Sequence, residues 1–91
     1  MKPYADMTLL LGYEELKQNQ RALTLAENFY KNAPSDIKYY VALAQYRLYN
    51  SQNDSRNTLN ALNRMLANAN TDERKIYTLT RLISQPGNSN I

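Results

Sequence analysis

The side chains able to make or break bonds are few in this chain, and their spacing gives them little to do together. With no histidine and no cysteine, the commonest general base, proton shuttle and soft metal ligand are missing, so Ser–His and Cys–His nucleophiles and zinc or thiol sites are excluded. Glu14 and Glu15 are neighbours in sequence and diverge on a helix, and no second carboxylate pair is placed to share acid–base work with them. There is no glycine-rich phosphate loop. Catalysis is therefore not expected, and neither a metal nor a cofactor. What the chain does have is aromatic recognition chemistry. Four of its eight tyrosines lie in "YYVALAQYRLYN", at positions 39, 40, 46 and 49, and tyrosine combines a large apolar ring with a hydroxyl able to bond at an interface.

The elements that must position these rings are helices. Glycine and proline are scarce (two and three) and strand-type alternation is absent. Apolar residues recur at helical spacing over about 4–18, 20–32, 36–50, 55–68 and from 72 to Pro86. "KQNQ", "NAPSD", "NSQNDS" and "NANTD" separate these runs, with caps expected at Ser35 or Asp36, at Asp54 or Ser55, and at Thr71 or Asp72. The fold class expected is all-α: five antiparallel helices in one domain over 1–91, with 86–91 as a flexible tail. The third helix is apolar nearly all round, so it must be covered from several sides.

Ninety-one residues with a formal charge of +3 make one small, marginally stable domain. Its eleven basic residues are dispersed, only Arg74 and Lys75 being adjacent. That favours a solvated surface over a nucleic-acid stripe. The N-terminal apolar run is three leucines long, too short for a signal peptide or a membrane span. The expected location is cytoplasmic.

The chain also repeats. "RALTLAENFYKNAPSD" aligns with "NTLNALNRMLANANTD" at an offset of 36, which superposes Leu23 on Leu59 and Phe29 on Met65. "LLLG", "VALA" and "YTLT" mark the first helix of each unit, ending at Gly12, Ala44 and Thr80. By that alignment the turn after the first helix is four residues shorter than the turn after the third. An ordinary five-helix bundle is the other reading of the same pattern.

Leu11-Gly12, Ala22, Ala26 and Pro34, then Tyr40, Leu43 and Ala44, then Ile76, Leu79 and Thr80 resemble the tetratricopeptide repeat, a helix–turn–helix unit of about 34 residues. About two and a half such units would span the chain in a short superhelical array. Thr8, Thr58 and Asn70 depart from the pattern. The resemblance implies a groove lined by the first, third and fifth helices, in which Asp6, Leu9, Leu10, Tyr13, Lys17, Lys38, Val41, Ala42, Gln45, Leu48 and Tyr49 would face a partner. Tyr39 and Tyr46 read better as packing residues, whereas Tyr13 and Tyr49 could serve either use. In size, repeat number and groove character the chain is similar to the small chaperones of type III secretion needle subunits. That resemblance implies a cytoplasmic chaperone that holds a subunit's amphipathic helix together with a small helical co-chaperone, in a hetero-oligomer. A tetratricopeptide-like adaptor or scaffold in a pilus or envelope assembly is the alternative.

Overall fold

The computed structural model describes residues 2–85, with side chains from residue 5 onward; the tail expected at 86–91 lies outside the described residues. Five helices follow one another: α1 (Lys2–Glu15), α2 (Asn19–Asn32), α3 (Ser35–Ser51), α4 (Ser55–Ala67) and α5 (Asp72–Ser84). No strand is present among the described residues, and none of their helices is long and apolar enough to cross a membrane.

The boundaries follow local chemistry. α1 stops at Glu15, before the expected 18, because the chain turns at once: Lys17 adopts a left-handed φ of 59° and the Gln18 amide donates to the Tyr13 carbonyl at 2.9 Å. After α3 the same turn recurs. Asn53 has φ 58° and the Asp54 amide donates to the Tyr49 carbonyl at 3.0 Å, a six-residue closure that satisfies a terminal carbonyl. The two turns therefore have equal length, which corrects the four-residue difference read from the sequence. The common offset is 36 here too, and it pairs Tyr13 with Tyr49 instead of Gly12 with Ala44.

Asp54 and Thr71 cap their helices as expected, accepting from the amides of Asn57 (3.2 Å) and Arg74 (3.1 Å). For α3 the expectation fails. Pro34 holds the cap position with no side-chain bond, and its fixed geometry leads straight into the helix. Asp54→Ala or Thr71→Ala should each lower unfolding stability by about 1 kcal/mol, measured by denaturant melts.

The all-round apolar character of α3 is accounted for by two cores. Val41, Ala44 and Leu48 join Leu10 of α1 and Ala22, Ala26 and Phe29 of α2. Tyr39 and Ala42 face the other way, with Leu62 and Met65 of α4 and Leu82 of α5. α3 packs on α1, α2 and α4, while α5 packs on α4 alone, so α3 and α5, which the resemblance sets along one groove, do not meet at the backbone level. Buried Thr58 and Thr78 bond back to the carbonyls of Asp54 (2.7 Å) and Arg74 (2.8 Å), so neither hydroxyl is stranded.

Candidate protein-binding grooves

Three arginines tie helices that are distant in sequence. Arg47 of α3 grips Glu14 of α1 through two bonds of 2.7 and 3.0 Å. Arg64 of α4 grips Glu27 of α2 at 3.1 and 3.2 Å, donates to the buried Gln45 side chain at 3.2 Å and lies 4.3 Å from the Tyr30 ring centre. Arg74 of α5 reaches Asp36 of α3 at 3.4 Å and the Tyr40 hydroxyl at 2.9 Å, and sits over the rings of Tyr39 and Tyr40. The separations are 33, 37 and 38 residues, about one repeat each. Charges expected merely to solvate a surface thus join successive helix pairs; the signal available in the sequence was an arginine one repeat after an acid.

The bond from Arg64 holds the Glu27 carboxyl below its ordinary value of 4.5, against the opposing effect of burial. Glu27 is charged in the folded chain at a pH where the unfolded chain is already protonated, so its contribution is complete above 4.5 and is lost as pH falls through the folded value. Because the pair is half exposed, Glu27→Gln should cost less than about 1 kcal/mol at neutral pH. The variant should also flatten the acid limb of a stability–pH curve. Burial raises the Tyr49 phenol.

Between α3 and α5 an open groove of about 490 Å³ is lined by Tyr39, Tyr40, Leu43, Thr71, Glu73, Arg74 and Tyr77. It exists because α5 and α3 make no contact at the backbone level, and the long Arg74 side chain spans between them to Asp36 and Tyr40. Ile76 (64% exposed), Leu79 (44%) and Ile83 (73%) also remain uncovered on α5, about 100–160° round the helix from Tyr77 and outside the groove lining. A second groove, between α1 and α2, is lined by Leu9, Tyr13, Gln20, Arg21, Thr24, Leu25 and Asn28.

None of the eleven partner-facing residues expected from the sequence lines the α3–α5 groove. Leu10, Val41, Ala42 and Leu48 are core residues, at most 3% exposed. Gln45 and Tyr49 line a small polar pocket with Glu27 and Arg64. Leu9 and Tyr13 line the α1–α2 groove, and exposed Lys17 forms the turn. Asp6 and Lys38 are half-buried, Lys38 against the Tyr30 ring at 5.2 Å.

The phase of α3 was misread. Its open side is the stripe Asp36, Tyr40, Leu43, Arg47 and Asn50, at spacings of four, three, four and three. The three polar members marked that side in the sequence, and Tyr40 and Leu43 fall between them. Among the described residues no three acidic side chains gather where they could hold a metal ion. What the grooves can do is bury a partner's apolar side chains against tyrosine rings while arginines and carboxylates bond at the rim. No family model matches the chain, and neither a curated protein nor a solved structure matches it.

Proposed function

We propose that this protein is a non-catalytic protein-binding module that holds an amphipathic helix of a partner in the α3–α5 groove. The observation that carries this reading is the tyrosine-lined groove itself, with Tyr40 and Tyr77 exposed and Leu43 half-buried between them in the free chain. A helix laid there covers apolar surface that α4 does not, and its polar face stays in water. Glu73 and Arg74 at the rim offer bonds of both signs.

The resemblance of the sequence to the tetratricopeptide repeat supports the same reading, since in that family successive first helices line a binding face. So does the similarity to needle-subunit chaperones: a stoichiometric chaperone in the cytoplasm would bury a self-assembling subunit's helix until export, with a small helical co-chaperone as further partner. A scaffold or adaptor in another assembly is the second reading, and the identity of the bound helix separates the two.

The test is a titration of the isotope-labelled chain with an amphipathic peptide and with a scrambled peptide of the same composition. Shifts should concentrate at Tyr40, Leu43 and Tyr77 for the amphipathic peptide alone. Equal responses to both peptides, or none in this groove, would reject the reading.

A further inference from the structure

The α1–α2 groove has a counterpart one repeat later. At the offset of 36 shown by the two turns, Leu9, Tyr13, Arg21, Thr24, Leu25 and Asn28 correspond to Gln45, Tyr49, Asn57, Asn60, Ala61 and Arg64. Those six residues line the pocket between α3 and α4, and its one further lining residue is Glu27, supplied by α2. The same surface is therefore built twice. In the second copy the chain's own preceding helix fills it, leaving about 90 Å³ and burying Gln45 to 2%; in the first, about 410 Å³ stands open and Leu9 is 47% exposed.

The differences between the copies describe what would fill the open one. Gln45 and Ala61 are replaced by Leu9 and Leu25, so the occupant must bring more apolar surface than α2 does. The cation moves from the Arg64 position to Arg21, whose guanidinium donates to Gln18 at 3.4 Å and pairs with no carboxylate among the described residues. Arg64 takes the carboxylate of its occupant in two bonds; Arg21 is placed to do the same two helical turns earlier.

We propose that the α1–α2 groove docks one amphipathic helix of a partner protein, whose aliphatic face covers Leu9, Tyr13 and Leu25 and whose carboxylate pairs with Arg21. This surface is separate from the α3–α5 groove, and either can fail without the other. A second copy of this chain is a poorer fit, because the α4 residue in the position of Glu27 is the neutral Asn63 and the next helix, α5, already packs on α4.

The probe is a peptide of residues 19–32, the helix that fills the counterpart, added to the full labelled chain. Shifts are expected at Leu9, Tyr13 and Leu25. The peptide carries Gln20→Glu, seven residues before Glu27, just as Arg21 stands seven before the position matching Arg64. Arg21→Glu in the chain should then weaken binding about tenfold, and the peptide with Gln20→Lys instead should recover most of that loss on the Arg21→Glu chain. Arg21 is exposed, and a circular-dichroism melt verifies that the variant folds. The proposal is overturned by any of four results: affinity indifferent to Arg21→Glu, shifts centred on Gln45 and Arg64 through displacement of α2, dimers of the chain alone formed through this groove, or release of Leu9 and Tyr13 on removing residues 86–91.

Discussion

Leu10→Asp is expected to leave the chain unfolded at room temperature. Leu10 is wholly buried where α1 meets α2 and α3, among Ala22, Ala26, Phe29 and Val41. Truncating such a leucine to alanine costs about 2–5 kcal/mol through lost burial and the cavity left behind. A carboxylate adds the penalty of an unpaired charge, or of the protonation that avoids it. A domain of this size has about 5–15 kcal/mol in all, so little of the folded population should survive. The neighbouring Leu11→Asp provides the contrast. At 45% exposed, that side chain meets water already, and the change should stay within about 0.5 kcal/mol. Thermal melts followed by far-ultraviolet circular dichroism decide it: a cooperative transition in Leu10→Asp close to that of the parent chain would show that α1 is not docked as described. The result also matters for binding assays, because lost capture by this variant would report lost structure and say nothing about a groove.

Tyr77→Asp should have the largest effect on partner binding at the smallest cost to the fold. The ring stands on the free side of α5, 37% exposed, with the Arg81 guanidinium 3.4 Å from its centre, and forms one wall of the α3–α5 groove. Replacing it removes a broad apolar wall and sets a charge where a bound helix would bury its aliphatic face. Aromatic anchors of this kind contribute about 2–4 kcal/mol, which corresponds to roughly 30-fold to 1000-fold in affinity. The titration proposed for the amphipathic peptide measures it directly. If Tyr77→Asp binds as tightly as the parent while its melt is unchanged, the α3–α5 groove is not the binding site. Tyr49, which the sequence singled out, lines the polar pocket that Glu27 and Arg64 close, and its replacement should act on stability before it acts on binding.

Local chemistry was legible along the whole chain. Helical spacing of apolar residues, the break at Ala33-Pro34, and Asp54 and Thr71 as acceptors for their helix N-termini are all short-range effects, and four of the five helices fall within a residue or two of their expected limits. The early end of α1 was missed because a lysine at left-handed φ carries no mark in the sequence, unlike the asparagine that serves the matching turn. The excess of apolar residues on α5 over what α4 could cover was also visible, since Ile76, Leu79, Leu82 and Ile83 span more than one face, and only Leu82 is buried.

The direction in which α3 faces was decided by the tertiary structure alone. A helix apolar on nearly every side has no preferred orientation of its own; its rotation is set by which neighbours pack against it. Val41 and Leu48 packing with α1 and α2, and Tyr39 and Ala42 with α4, set the rotation that leaves Tyr40 exposed and Leu43 half-buried. Arg47 meeting Glu14, and Arg74 meeting Asp36 and Tyr40, bond along its edges. Those bonds join residues 33 to 38 positions apart, beyond the reach of helical periodicity. The sequence by itself therefore determined where the helices lie and that some of their apolar surface exceeds the core. Which surface that is was settled only by long-range packing.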